Sequence, residues 1–295
     1  MNEKHYPAGS SGGKGGQFAP KNGSDVAQGS ESSISYAPKL TSLGLKRVFF
    51  SDLSPEEQEK KRIDYIKKHY DLFAVNDYLY DNFNTSKINT PERNFKRRMW
   101  IAKEFERQMA ESPKKRNKKA TLLLGLPGSG KSTIATPLSK QEGMFIVDAD
   151  EFKKMIPEFQ KDEKMVSAVH HESVNLADEF MKALSDKGYN MCIGKVGGDY
   201  ESVEYILNDL SSKGYDVDVI LNDLPLDEAI ARAEDRFDSG RSKRMIPFWT
   251  LKTADKNVFD TFDKVLKHPS VKSGKIYSND VPEGTAPVLL HEFKK

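Results

Sequence analysis

A glycine-rich segment that ends in a lysine and a serine carries the most specific chemical signal in the sequence. Gly125, Gly130, Lys131 and Ser132 fit the spacing G-x-x-x-x-G-K-[S/T], directly after an apolar run at 120–124. Glycines let successive backbone N–H groups close around phosphate oxygens, and the start of a following helix attracts an anion. We therefore predict one continuous nucleotide-binding loop, formed by Gly125, Leu126, Pro127, Gly128, Ser129, Gly130, Lys131, Ser132 and Thr133.

Two side chains of this loop have expected roles of their own. A lysine at the position of Lys131 reaches the β- and γ-phosphates of a nucleotide, and a hydroxyl at the position of Ser132 ligates Mg²⁺. The pattern thus predicts a nucleoside triphosphate as ligand, Lys131 as a catalytic residue and Ser132 as a metal ligand. A glycine-rich turn without a ligand is the alternative interpretation.

Two aspartates follow the second predicted strand, at 144–147. Asp148 and Asp150 lie at its carboxyl end, the edge of a parallel sheet where ligands bind. A carboxylate there can accept a proton from a substrate hydroxyl or organise Mg²⁺. Asp150 also precedes a helical pattern, so helix capping is the alternative role.

Four arginines form a third set of candidate residues. Arg232 and Arg236 lie one turn apart on a predicted helix and share its face. Arg241 and Arg244 follow in a short polar segment before Pro247. Guanidinium groups on a mobile segment over the phosphates would stabilise transition-state charge and exclude water. We assign Arg241 to nucleotide binding; an exposed basic loop is the alternative.

The elements that must position these residues alternate between strands and helices. Strands are expected at 120–124, 144–147, 189–193 and 215–221, each followed by a helical pattern. This alternation predicts an α/β fold of the P-loop NTPase/kinase type, with a mostly parallel sheet and helices on both faces. One of the expected helices is long, from 162 to 187.

Changes in composition divide the chain into three segments. Residues 1–45 are rich in glycine and serine, which predicts a flexible, disordered tail. Residues 46–116 form a small helical module in which Phe95 is expected on a buried stripe, and residues 117–295 form the P-loop kinase domain. Ser54 begins the first helix of that module, because proline and glutamates follow it as in a capping box.

The overall composition excludes several classes of protein. The net charge of +2 gives no electrostatic case for a nucleic-acid partner. Cys192 is the single cysteine, which excludes an internal disulfide and a cysteine metal cluster. No apolar run reaches transmembrane length and the N-terminal stretch has no hydrophobic segment, so we expect a cytoplasmic protein without a membrane partner.

The segment at 7–21 resembles, in composition, the tails of some tailed-phage structural and morphogenesis proteins. This resemblance implies a second hypothesis, a phage virion protein that carries a P-loop nucleotide-binding domain. Association with the phage particle, or location in the host cell cytoplasm, would follow. A solvated leader is the simpler interpretation.

The segment at 147–153, at its distance from the phosphate loop, resembles the zeta toxin family of P-loop kinases. The similarity continues through 184–190, 213–215 and 225–236 and covers roughly residues 118–270. The resemblance implies transfer of phosphate from ATP or GTP, with Mg²⁺, to a hydroxyl of UDP-N-acetylglucosamine, a UDP-activated amino sugar. It also implies an antitoxin protein as partner.

The same resemblance assigns roles to individual residues. Asp150 would be the base that deprotonates the acceptor hydroxyl. Arg236 and Arg244 would sense and stabilise the transferring phosphate. Asp178 falls where the family carries an acidic substrate-side residue, and we place Asp148 on the substrate side with it.

The acceptor side departs from the family at 194–198. Family members usually carry a Glu-Gly-Thr-like segment there, whereas this chain reads Gly194-Lys195-Val196-Gly197-Gly198. A site that binds a hydroxylated substrate loses its hydrogen-bonding partners through this change. Either the small-molecule acceptor differs, with Lys195 binding an anion, or the acceptor site has decayed. A nucleotide or a polynucleotide end is the alternative acceptor.

Overall fold

The computed structural model describes residues 5–6, 17–18, 54–242, 246, 248–281 and 285–294. The predicted tail at 1–45 lies outside the described residues, apart from two short strands that pair antiparallel, β1 (His5–Tyr6) and β2 (Gln17–Phe18). Arg244 also lies outside them. Within the described part of the chain, no helix is long and apolar enough to cross a membrane.

A mostly parallel sheet forms the centre of the molecule. Its strands, in chain order, are β3 (Lys119–Leu124), β4 (Phe145–Val147), β5 (Met191–Lys195), β6 (Asp216–Asp223), β7 (Val271–Ser278) and β8 (Val288–Lys294). The strand order is β4-β5-β3-β6-β7-β8. All neighbouring pairs are parallel except β7 and β8, which are antiparallel. The predicted α/β P-loop fold is confirmed.

Helices precede the sheet and cover it. In chain order they are α1 (Pro55–Asn82), α2 (Pro91–Glu111), α3 (Lys131–Gln141), α4 (Ala149–Lys153), α5 (Pro157–Lys161), α6 (His170–Asp186), α7 (Tyr200–Ser212), α8 (Leu226–Asp238) and α9 (Phe248–Leu266). Ser54 caps α1 with the expected capping box, in which its hydroxyl accepts from the amide of Glu57.

The central strand β3 shows why helices cover both faces of the sheet. Its side chains alternate, so Leu122 and Leu124 belong to one apolar cluster and Leu123 to another. The first cluster includes residues of α6, α7 and α9, and the second includes Ala135 of α3. All three leucines are buried, as expected for a parallel strand between two helical layers.

Two predictions about helices were wrong. The helix expected from 162 to 187 begins only at His170, because Asp162 caps a short 3₁₀ turn at Glu163–Val166. Phe95 is 57% exposed rather than buried. The buried face of α2 includes Trp100 and Glu104, and five residues of helix rotate Phe95 by about 140° away from Trp100.

Helix α2 also closes the edge of the sheet. The side-chain amide of Gln108 donates to the carbonyl of Ile146 in β4 at 2.8 Å and accepts from its N–H at 2.7 Å. This amide takes the place of a neighbouring strand, so the edge is protected from pairing with another chain. At its other end, α2 binds α6 through Arg93, which contacts the buried carboxylate of Glu172 at 2.5 Å.

Candidate active site

The phosphate loop connects β3 to α3 and adopts backbone angles that need glycine. Gly130 has φ of 75°, and a Cβ there would lie 2.4 Å from Nδ2 of Asn279. Gly125 has φ of 155°, and a Cβ there would lie 2.5 Å from the carbonyl oxygen of Asn222. The loop is therefore folded tightly against the ends of β6 and β7, and larger residues do not fit at either glycine.

Two asparagines that the sequence analysis missed hold the loop in place. The side-chain amides of Asn222 and Asn279 both donate to the carbonyl of Ser129, the latter at 2.7 Å. Both asparagines are buried and lie at the carboxyl ends of strands. That position at a predicted ligand edge was the signal available in the sequence.

Lys131 lies on the first turn of α3 and turns back over the loop. Its Nζ donates to the carbonyls of Gly125 at 2.7 Å and Leu126 at 3.0 Å. Burial lowers the pKa of Lys131 to about 8, against the opposing effect of Asp148 and Asp150. The negative charges of the two aspartates thus act on this lysine.

Asp148, rather than Asp150, caps the helix that follows β4. Its Oδ1 accepts from the backbone N–H of Asp150 at 2.9 Å. The alternative capping role that the sequence offered for Asp150 is therefore filled by its neighbour. Burial raises the pKa of the Asp148 carboxyl, and the negative charge of Asp150 raises it further.

Asp150 lies in α4, just beyond the carboxyl end of β4. Its side chain is 45% exposed, and Oδ1 lies 2.8 Å from Nζ of Lys153, whose side chain is only 9% exposed. The sequence analysis missed Lys153, although its spacing of three residues along a helix was the signal. This lysine fixes the direction of the Asp150 carboxylate.

The acceptor side combines Asp178 of α6 with Lys195 at the end of β5. Asp178 Oδ1 and Lys195 Nζ lie 3.5 Å apart, and both side chains are partly buried. His170 is the first residue of the same helix α6. Its ring is neutral, because burial and the positive charge of Lys153 hold its pKa well below the usual value. A Cβ at Gly194 would lie 3.9 Å from Oδ2 of Asp148. The first residue of the segment 194–198 therefore lies beside Asp148.

The two helical arginines occupy different positions. A nitrogen of the Arg236 guanidinium lies 3.3 Å from where a Cβ at Gly128 would be, so this arginine faces the loop. Arg232 instead donates to the backbone carbonyls of Asn279 at 2.7 Å and Val281 at 3.3 Å. Arg232 therefore supports the wall of the site, and Arg236 is placed for contact with a phosphate.

Arg241 contributes to a cleft beside the loop. It forms an ion pair with Asp235 of α8. The cleft measures about 460 Å³, which is within the range of small-molecule sites. The cleft is lined by residues of the phosphate loop, of the start of α3, of α8 and of the segment after β7. They include Gly128, Gly130, Thr133, Arg232, Arg236 and Asn279.

The residues present fit a magnesium ion. Ser132 is exposed on the first turn of α3, and Asp148 and Asp150 supply hard carboxylate oxygens. Among the described residues, no group of three His, Cys, Asp or Glu side chains is arranged to hold a metal. Mg²⁺ needs no such cage, because it binds through one or two protein oxygens together with phosphate oxygens and water.

Comparison with known protein families identifies the family of this chain. A family model for Zeta toxin matches residues 102–283, more than half of the chain. The curated toxin zeta proteins of Enterococcus hirae and Streptococcus pyogenes are 29% and 28% identical to this chain over 113 residues. Each alignment covers 36% of this chain, and the chain spans only 40% and 39% of those two relatives.

A solved structure has a similar fold. It comes from work on the PezAT chromosomal toxin–antitoxin system of Streptococcus pneumoniae, and its TM-score with this chain is 0.54. The superposition covers 69% of this chain and 81% of that chain at 18% sequence identity. At this identity, the similarity shows the fold alone.

Proposed function

This chain belongs to the zeta toxin family, and from that premise we propose that it is a kinase. It would transfer the γ-phosphate of ATP or GTP to a hydroxyl of a small-molecule acceptor, such as a UDP-amino sugar. The observation that carries the proposal is geometric: Nζ of Lys131 lies over the carbonyls of the phosphate loop, and Asp148 and Asp150 follow β4 at the same edge of the parallel sheet. Such a pair of donor-side cation and acceptor-side base is what phosphoryl transfer requires.

In the proposed reaction, the acceptor hydroxyl oxygen attacks the γ-phosphorus as the bond to the β–γ bridging oxygen breaks. The hydroxyl proton passes to the carboxylate of Asp150, and a nucleoside diphosphate leaves. Lys131 and Arg236 stabilise the charge that spreads over the phosphate oxygens. Mg²⁺, when bound with the nucleotide, neutralises phosphate charge, and Ser132 and Asp148 are the residues that would hold it.

The ion pair between Lys153 and Asp150 acts on this base through its orientation. It orders the carboxylate, which a base must hold in one orientation to meet the acceptor hydroxyl. Lys153 is thus a positioning residue in this proposal.

A different acceptor is the second candidate, favoured by the pair of Asp178 and Lys195. In this proposal Lys195 belongs to the segment that replaces the Glu-Gly-Thr-like segment of the family, and the charge of Asp178 compensates its ammonium. An anionic group on the acceptor would compete with Asp178 for the ammonium of Lys195. Acceptors that carry a phosphate, including nucleotides, therefore belong in the same screen as UDP-amino sugars.

An antitoxin partner and a cytoplasmic location complete the proposal. The partner is suggested by family membership and by the fold shared with a chain from a toxin–antitoxin system. Co-expression with the adjacent open reading frame, followed by co-purification, would test it. Loss of growth inhibition on co-expression would identify that product as the antitoxin.

The kinase proposal is tested by comparing Asp150→Asn with the wild type. Transfer from labelled ATP to a panel of hydroxylated acceptors should fall about 10²- to 10⁴-fold, because the general base is lost. Calorimetry should show nucleotide affinity within a few-fold of the wild type. Glu151→Gln is the matched control, since it removes a neighbouring carboxylate that pairs with Lys154. Equal transfer by Asp150→Asn and wild type would refute the assigned base.

A further inference from the structure

Helix α1 lies outside the region that matches the family model, which begins at residue 102. It nevertheless contacts the part of the molecule that carries the candidate arginines. Tyr65 and Phe73 of α1 are 1% and 2% exposed and belong to the same apolar cluster as Leu126 of the phosphate loop. Helix α1 is therefore an integral part of the wall behind the site.

Three neighbouring side chains on one face of α1 reach the two ends of a single connection. The connection is the α8–α9 segment, residues 239–247, which contains Arg241. The Tyr65 hydroxyl donates to the carbonyl of Ile246, at 2.5 Å, just before α9 begins. Lys68 contacts Asp238, the last residue of α8, at 2.8 Å.

His69, the third side chain, makes two further contacts with α8. His69 Nε2 lies 3.2 Å from Oε1 of Glu234, and the His69 ring is 5.6 Å from the ring of Phe237 in an edge-on arrangement. Residues at i, i+3 and i+4 share one helix face, so Tyr65, Lys68 and His69 act from the same side. His69 is 5% exposed, which makes this contact part of the packed interior.

The first residues of the connection, 239–242, fold back on α8 through their backbone. The amides of Ser239, Gly240 and Ser242 donate to the carbonyls of Asp235, Phe237 and Arg236. The side of α8 that faces the loop carries Arg236, the arginine nearest to Gly128. Fixing both ends of the connection on α1 therefore also fixes the direction in which α8 presents this arginine.

We propose that α1 is a positioning element of the active site, which holds both ends of the α8–α9 segment so that Arg236 of α8 faces the phosphate loop. Tyr65 is the central positioning residue, because its hydroxyl makes the contact at the end remote from α8. The role in catalysis rests on the proposed kinase function; the mechanical role does not. Two measurements on the full-length protein separate them.

The mechanical role is tested by amide hydrogen exchange in Tyr65→Phe. Removing one hydrogen bond of ordinary net strength should speed exchange at Ser239, Gly240 and Ser242 by about 2- to 12-fold. Tyr70→Phe is the matched control, since Tyr70 is on the same helix but 56% exposed. Exchange at Leu122 in the central strand should speed up by no more than the same factor, which shows that the core is intact. Identical exchange of the segment in both variants overturns the proposal.

The catalytic role is tested by steady-state kinetics of the same variants. Tyr65→Phe should lower kcat by about 2- to 12-fold with the KM for nucleotide unchanged, because the arginines act on the transition state. Lys68→Ala, at the opposite end of the segment, should change kcat in the same direction. An unchanged kcat alongside faster exchange overturns the catalytic role. Absence of transfer in the wild type refutes the kinase proposal instead, and the exchange data still decide the mechanical role.

Discussion

Replacing Lys131 by methionine should stabilise the nucleotide-free protein and abolish nucleotide binding. Burial lowers the pKa of this lysine from 10.5 to about 8. Since one pKa unit corresponds to about 1.36 kcal/mol, holding the ammonium charged in the folded protein costs about 3 kcal/mol. Methionine keeps an unbranched apolar chain without the charge. The contacts with the carbonyls of Gly125 and Leu126 are lost, so we expect a net gain of about 1–2 kcal/mol.

The pH dependence of this gain has a defined sign. A lysine whose pKa is lower in the folded than in the unfolded protein destabilises the fold while both forms are protonated. The cost is complete below about pH 8 and disappears as the pH rises towards 10.5. The difference in the free energy of unfolding between Lys131→Met and wild type should therefore shrink across that window.

Thermal unfolding at several pH values, with and without Mg²⁺ and ATP, measures both effects. Below pH 8 the variant should melt about 2–8 °C above the wild type. At an ATP concentration 100 times the Kd, the wild type should gain about 2.7 kcal/mol and the variant nothing. Lys140→Met is the control, because it removes an exposed lysine from the other end of the same helix. A variant that melts below the wild type, or that ATP still stabilises, would refute this reasoning.

Two further substitutions test the packing around the site. Glu172→Gln should destabilise the protein by about 3–5 kcal/mol in urea unfolding, because two arginines of α2 lose their buried counter-charge; the exposed Glu92→Gln should change stability by less than about 1 kcal/mol. Gly130→Ala should lose nucleotide binding in calorimetry, because its Cβ would collide with Asn279. Gly240→Ala has a similar φ of 71° but open space around it, so equal loss of binding in both would contradict the role assigned to the collision.

Local patterns in the sequence predicted the parts of the site that are local in the structure. The loop from Gly125 to Thr133 is one continuous segment, and Arg232 and Arg236 do share a helix face. Strand positions were predictable because buried parallel strands are continuous apolar runs. The aspartates at 148 and 150 were placed correctly at the carboxyl end of β4, since the topology dictates that edge.

Contacts between distant parts of the chain could not be predicted. The amides of Asn222 and Asn279 reach Ser129 across 93 and 150 residues, so no local spacing relates them. Arg232 and Arg236 have the same residue type and face, yet only the fold decides that Arg232 binds carbonyls after β7. The start of α6 at His170 likewise depends on a 3₁₀ turn that hydrophobic periodicity does not distinguish from a helix.

The glycine at position 194, where the sequence differs from the family pattern, affects the electrostatics of the aspartates in the site. A side chain at Gly194 would begin 3.9 Å from the carboxylate of Asp148, whose pKa is already raised by burial and by Asp150. An acidic residue there would add a third negative charge and raise that pKa again. With glycine, Asp148 has one acidic neighbour fewer, and the charge of Lys195 is compensated by Asp178. A glycine at 194 thus favours an ionised Asp148, the form that the proposed role of Asp148 in holding Mg²⁺ requires.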